Sequence, residues 1–300
     1  SCKSYPFPIL CVGNLAVGGT GKTPMVEYLV RLVGESQVAI LSRGYRRKTK
    51  GFVLADDSSS AHSLGDEPFQ YHRKFPHANV AVCESRQEGI SQLLKTPSFK
   101  IILLDDAFQH RKVKAGMNLL LTSYQKLYTQ DFLLPMGRLR DIRARATRAQ
   151  VILVTKCPPL SNEEKDKIIN QLHPTPLQWV FFTRIAYSQM VYGEGEAMSL
   201  AQFITTPFTL ITGIANPTPL VDFLHEKGAQ FSHLAYSDHH HFSDKELKKL
   251  SQYPKLLTTE KDYVRLANAL PQLYYLPIET QFLDKGEKEK FDTLILNFCS

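Results

Sequence analysis

Short apolar runs recur along the first half of the chain, at residues 8–12, 37–41, 79–83, 100–104, 118–121 and 150–154. Each gives way to polar or glycine-rich residues. Runs of about five β-branched or Leu-rich residues suit strands buried on both faces of a parallel sheet. Between several of them lie stretches that can hold helices, at 25–33, 67–75 and 86–94. This alternation predicts an α/β fold, with right-handed crossovers and helices on both faces of a mostly parallel sheet. Ligands of such sheets bind beyond the carboxyl ends of the strands, where the polar clusters fall.

Residues 176–195 read differently, as two aromatic, β-rich stretches that predict a hairpin between two lobes. A second, smaller α/β unit follows, with strands at 208–212, 230–235 and 255–258 and helices at 218–227 and 244–252. Ser243, with Glu246 three residues on, predicts a capping box. At 300 residues the chain exceeds what one core usually serves. The predicted organisation is a nucleotide-binding domain over 1–175, a hairpin-like linker over 176–196 and an α/β lobe over 197–300.

The nucleotide is implied by one stretch. The first apolar run leads into Gly13-Asn14-Leu15-Ala16-Val17-Gly18-Gly19-Thr20-Gly21-Lys22-Thr23-Pro24, and a helical stretch follows. Strand, glycine loop, Lys-Thr and helix is the order of a phosphate-binding P-loop, so the sheet is expected to be P-loop NTPase-like. Gly18, Gly19, Thr20 and Gly21 would turn backbone N–H groups inward around phosphate oxygens. The helix starting near Thr23 points its positive end at the same anion, and Pro24 suits a first helical position. Lys22 would reach the terminal phosphates, and Thr23 would ligate Mg²⁺. Where the common pattern has its first Gly this chain has Ala16, and Gly18-Gly19 compensates in flexibility.

Composition narrows the partner. The chain is 43% hydrophobic and 22% charged, ordinary for a globular protein, with a net charge of +7. That excess suggests an anionic partner: nucleotide, anionic lipid surface or nucleic acid. No apolar run reaches the roughly 18 residues of a membrane span. The five cysteines are scattered without metal-ligand spacing, which reads as reduced thiols.

Four further clusters carry candidate chemistry. Asp105-Asp106 close an apolar strand, as a Walker B element does, where a carboxylate reaches Mg²⁺ or its waters. Gly65-Asp66-Glu67-Pro68 opens a helical stretch; Asp66 reads either as a helix cap or as the base for an attacking hydroxyl. Ser237-Asp238-His239-His240-His241 lacks zinc spacing and reads as a polar turn or as a source of one orienting His. Arg138, Arg140, Arg143, Arg145 and Arg148, and the run from Arg43 to Lys48, suit phosphate oxygens or an anionic membrane surface. Nucleic acid is not expected, because the arginines are not interleaved with stacking aromatics. Thr155-Lys156-Cys157 approaches a guanine-reading motif, but Pro158 replaces its Asp. Val17 stands where partition-type ATPases carry a second Lys. A kinase for a small or lipid acceptor remains, with a nucleotide-switched ATPase or regulator as the alternative.

Several motifs converge on one family. The chain resembles the tetraacyldisaccharide 4′-kinases in its P-loop and in Leu41-Ser42-Arg43-Gly44-Tyr45, Gly65-Asp66-Glu67-Pro68 and Asp105-Asp106-Ala107-Phe108-Gln109-His110. The resemblance continues through Pro135-Met136-Gly137-Arg138-Leu139-Arg140, Gly213-Ile214-Ala215-Asn216-Pro217, Asp238-His239 and the stretch from Thr258 to Arg265. It implies transfer of the ATP γ-phosphoryl group to the 4′-hydroxyl of a tetraacylated glucosamine disaccharide 1-phosphate, an anionic glycolipid. It also implies a peripheral protein on the cytoplasmic face of the bacterial inner membrane, expected to act as a monomer. By analogy Asp66 is the catalytic carboxylate with His239 as its partner, and Lys22 and Thr23 hold phosphates and Mg²⁺. Glu67, Asp105 and Asp106 are metal or water ligands, and Arg140 and Arg43 meet phosphate. The family usually begins with an amphipathic segment ahead of the P-loop strand; here the basic patches are expected to carry more of the docking.

Overall fold

The apolar runs become the inner strands of one sheet. In chain order its first eight strands are β1 (Ile9–Asn14), β2 (Val38–Ser42), β3 (Val53–Leu54), β4 (Asn79–Val82), β5 (Ile101–Asp105), β6 (Met117–Ser123), β7 (Val151–Thr155) and β8 (Trp179–Tyr187). The computed structural model describes every residue except Ser1, Arg111, Glu196 and His239. A ninth strand, Ile278–Phe282, completes the order Ile278–Phe282, β8, β7, β6, β1, β5, β2, β4, β3. From β8 to β4 every neighbouring pair is parallel, and β3 is antiparallel to β4. Strand alternation sends Ile9 and Cys11 into one apolar cluster and Leu10 and Val12 into another, so both faces of the sheet are covered. Each fully buried Leu, Ile, Val or Phe contributes roughly 1.5–3 kcal/mol relative to exposure. The three expected helices form as Lys22–Val33, Asp66–Lys74 and Arg86–Leu93.

The chain divides into two units, Ser1–Ala186 with Glu279–Ser300, and Tyr187–Ile278. These bounds differ from the expected ones in two places. The aromatic stretch expected as a hairpin supplies β8, which pairs in parallel with β7 from Val151↔Trp179 onward. Phe181 of β8 packs edge-on against Phe282 and Phe291, so burial of aromatic area draws the stretch into the large sheet. The chain end also returns: helix Lys285–Cys299 sends Phe291 and Ile295 into the core behind β1.

In the second unit the strands are ordered Phe231–Ala235, Phe208–Thr212, Leu256–Thr259, Leu273–Leu276, all parallel. Helices Thr218–Glu226 and Asp244–Leu250 form where expected, and Ser243 and Glu246 cap the latter reciprocally. All five cysteines are free. Among the described residues no helix is long and apolar enough to cross a membrane.

Candidate active site

The loop leaving β1 carries Gly18 at φ 105° and Gly21 at φ 84°, where a Cβ would be strained. Gly21 is the N-cap of helix Lys22–Val33 and no side chain caps it, so the first N–H groups of that helix face the loop. Pro24 falls at the third helical position rather than the first, still within the turn whose N–H groups have no helical partner.

The loop is braced from two directions. Asn14 Nδ2 donates to Thr20 Oγ1 at 2.8 Å, and Thr155 Oγ1, at the end of β7, donates to the Thr20 carbonyl at 2.8 Å. Along its other side Arg140 N–H donates to the Leu15 carbonyl and Val17 N–H to the Arg138 carbonyl, both at 2.7 Å. Ala16 thereby forms an antiparallel bridge with Leu139.

β5 neighbours β1, so its carboxyl end brings two acids to the loop. Asp105 is buried and its Oδ2 has no hydrogen-bond partner. Burial, reinforced by the charges of Glu67 and Asp106, pushes its carboxyl up, against the opposing pull of Lys22 and Arg86. Asp106 turns the chain at φ 47° and stands 3.7 Å from Lys22 Nζ. Arg140 grips it with two bonds, Nη2 to Oδ1 at 2.7 Å and Nη1 to Oδ2 at 3.1 Å, and also donates to Asn14 Oδ1. Burial works to raise the Asp106 carboxyl, but the Arg140 bonds and the Lys22 charge outweigh it and hold it below the usual carboxylate range.

Helix Asp66–Lys74 reaches this edge because it is tied to the P-loop helix. Gln70 Nε2 and Lys74 Nζ donate to the buried carboxylate of Glu27 at 2.9 and 2.7 Å. Its opening residues are Asp66 and Glu67, and Gly65, not Asp66, holds the cap position. Glu67 lies close enough for its charge to act on Asp105.

The structure thus gathers Gly18, Gly19, Thr20, Gly21, Lys22, Thr23, Asp105, Asp106 and Arg140, with Glu67 and its neighbour Asp66 adjoining. Arg43 is exposed, and its charge acts on Arg86 and His110, which with Gln109 line a neighbouring cleft. His239 lies outside the described residues. The orphaned oxygen of Asp105, the Glu67 carboxylate and the Thr23 hydroxyl are hard oxygen donors, and they fit Mg²⁺, which takes one or two carboxylates and completes its shell with water and phosphate. Among the described residues no three His, Cys, Asp or Glu form a ready-made metal cage.

Sequence reasoning misses three supporting groups. Asn14 sits between Thr20 and Arg140, Gln109 Nε2 donates to the Asn14 carbonyl at 2.5 Å, and Lys156 Nζ lies 3.8 Å from where a Cβ on Gly19 would be. Lys156 is visible in the near-match to a guanine-reading motif; Asn14 and Gln109 fall inside two of the resembling motifs, but nothing in them assigns either residue a role. In the second unit Asp262 is buried and accepts from Gly213 N–H, Thr259 Oγ1 and Arg265 Nη2. It ties two of the resembling motifs to one edge of that sheet.

A family model described as tetraacyldisaccharide-1-P 4′-kinase, LpxK, matches residues 1–299. The chain belongs to this family. The tetraacyldisaccharide 4′-kinase of Flavobacterium johnsoniae is 48% identical over 303 residues, covering 98% of this chain and 88% of the relative. That of Bacteroides thetaiotaomicron is 40% identical over 325 residues, covering 99% and 85%. Among solved structures, the "apo" form of Aquifex aeolicus LpxK in complex with ATP is similar at a TM-score of 0.80 and 27% identity, covering 100% of this chain and 90% of that one. The LpxK family resemblance therefore holds across the whole chain, and the α/β fold expected from the apolar runs is the fold of that neighbour. A nucleotide-switched regulator is not favoured by these relatives.

Proposed function

We propose that this chain transfers the γ-phosphoryl group of ATP to the 4′-hydroxyl of a tetraacylated glucosamine disaccharide 1-phosphate, as a peripheral protein at the cytoplasmic face of the inner membrane. The observation that carries the site assignment is the convergence of Lys22, Asp106 and Arg140 on the open end of the glycine loop. The loop's N–H groups and Lys22 hold the β- and γ-phosphates in line for attack. Asp66 takes the proton of the 4′-hydroxyl as the new O–P bond forms and the bond to the β-phosphate oxygen breaks, releasing ADP. Arg140, together with Lys22, stabilises charge on the transferring group. Thr23, Glu67 and Asp105 would hold Mg²⁺, which when bound neutralises charge across the β- and γ-oxygens. His239 is assigned the orienting role by the family resemblance alone, and Arg43 the acceptor phosphate.

The test is phosphotransfer. The protein is incubated with Mg²⁺, ATP and tetraacyldisaccharide 1-phosphate in detergent, and the product is weighed by mass spectrometry. One added phosphate, lost in Lys22→Ala and cut at least about a hundredfold in Asp66→Asn, supports the reading. ATP hydrolysis without a phosphorylated acceptor would turn it towards the regulator, and unimpaired turnover by Asp66→Asn would remove Asp66 from the chemistry.

A further inference from the structure

The loop that braces the glycine loop turns apolar side chains to solvent. Phe132, Leu133, Leu134, Met136 and Ile142 are all exposed, Met136 by 86%. Five large apolar side chains within eleven residues are far more than the scattered exposed hydrophobics of an ordinary surface.

The exposure is built in. Asp131, buried beneath, accepts from the N–H groups of Phe132 and Arg138 at 2.9 and 3.1 Å. Leu139 N–H donates to the Phe132 carbonyl and Leu134 N–H to the Leu139 carbonyl, at 2.9 and 3.0 Å. Gly137 closes the turn so tightly that a Cβ there would come within 2.3 Å of the Phe132 carbonyl oxygen. The polar groups therefore hold the loop from inside, and the apolar groups are what remains outside.

Cations rim the same loop. Arg138 and Arg143, both exposed, flank the apolar tip, and Arg143 lies 5.5 Å from the Phe132 ring centroid. Apolar side chains ringed by cations are suited to an anionic bilayer: the former enter the acyl boundary while the latter stay at the phosphates. A second copy of the chain fits poorly, because a two-fold contact would bring arginine against arginine.

We infer that the loop over residues 132–142 is a membrane-inserting element of this protein, and that its partner is a bilayer containing anionic phospholipid. The inference rests on the peripheral-membrane reading above. It has a mechanistic consequence, because the same loop carries Arg140 and is bonded to Leu15 and Val17. Docking would set the glycine loop at the level of the headgroups, where the sugar of an acylated acceptor lies.

The experiment uses vesicles of phosphatidylethanolamine with phosphatidylglycerol, and vesicles of phosphatidylcholine alone. The unmodified chain should co-sediment with the former, and less so as salt rises. Met136→Glu, and separately Leu133→Glu, should each weaken partitioning by about tenfold or more, because each trades burial of a large apolar side chain for a charge. Phosphotransfer to detergent-dispersed acceptor should stay within about twofold of the unmodified chain, since both side chains are exposed and neither is among the groups bonded at the glycine loop. In a Trp179→Phe background, Met136→Trp should shift its emission to the blue on anionic vesicles and become shielded from acrylamide. If the unmodified chain ignores anionic vesicles, the peripheral-membrane reading fails and this inference with it. If it binds but both Glu variants bind as well and the Trp emission stays put, only the loop assignment is overturned. A concentration-dependent dimer that Met136→Glu dissolves, with no vesicle binding, would assign the surface to a second copy instead.

Discussion

Asp131→Asn probes whether the brace behind the glycine loop is electrostatic. The Asp131 side chain is 2% exposed and accepts from two backbone N–H groups, from Arg138 Nε at 3.1 Å and from Lys126 Nζ at 3.1 Å. Burial alone would raise its carboxyl, but the Arg138 and Lys126 bonds reverse that and hold it at about 2, against an ordinary 3.8. That difference corresponds to on the order of 2.5 kcal/mol at about 1.4 kcal/mol per pH unit. Both cations are nearly half exposed, so screening by water trims the figure to about 1–2 kcal/mol. Asn keeps one carbonyl oxygen but aims an NH₂ at donors, adding about 1 kcal/mol. A loss of about 2–3 kcal/mol should lower the melting temperature of a unit this size by roughly 4–12 °C. Circular dichroism against temperature and urea measures it. The sign of the pH dependence is fixed. A carboxyl whose folded value lies below its unfolded one contributes fully above about pH 4 and loses that contribution as pH falls towards 2. The gap between parent and variant should therefore narrow across whatever part of that window both survive. A gap under about 0.5 kcal/mol at neutral pH, or one that persists unchanged to pH 3, would refute the electrostatic brace.

Three further outcomes follow from the site. Arg140→Lys keeps the charge but loses the fork on Asp106 and the bond to Asn14, so kcat/KM should fall roughly ten- to a hundredfold while unfolding in urea changes little. Lys156→Ala removes the ammonium beside Gly19 and should weaken ATP binding about tenfold by calorimetry; unchanged affinity would detach Lys156 from the nucleotide. Asp262→Asn replaces the carboxylate that accepts from the Gly213 N–H and Arg265 with an amide, and should cost the second unit about 1–3 kcal/mol while ATP still binds the first; hydrogen exchange over residues 208–265 reads it directly.

Much of the fold was legible because its signals are local. Residues 101–104 of the strand ending at Asp105 are apolar on both faces, as a covered parallel strand requires, and the order of strand, Gly18-Gly19, Lys22 and helix leaves little freedom in where phosphate binds. What escaped is set by distant pairing. The aromatic stretch Trp179–Tyr187 has the same pattern whether it folds on itself or joins β7, and only the free edge of the large sheet decides. The return of Lys285–Cys299 is likewise fixed by the apolar hollow it fills, not by any mark in its own residues. Asp66 illustrates the limit within the site. Read locally it competes for the cap position, which Gly65 takes instead, and the placement of its helix, whose Glu67 charge acts on Asp105, follows from Gln70 and Lys74 reaching Glu27 on another helix.

Ala16 connects these threads. The usual pattern asks for glycine there, and flexibility at Gly18-Gly19 was expected to make up for its absence. The structure gives a different reason why alanine serves. Ala16 has no positive φ; it is bridged to Leu139, flanked by the bonds from Arg140 to Leu15 and from Val17 to Arg138. An extended, paired position favours a residue with a Cβ, since glycine there would add backbone entropy to the unfolded chain and nothing to the fold. The first half of the glycine loop is thus pinned by a single β-bridge rather than left as a free turn, and the segment it pairs with carries the arginine that grips Asp106. Departure from the common motif and recruitment of Arg140 are two consequences of one backbone contact. This explains why Arg138-Leu139-Arg140, more than a hundred residues away in sequence, belongs physically to the phosphate site.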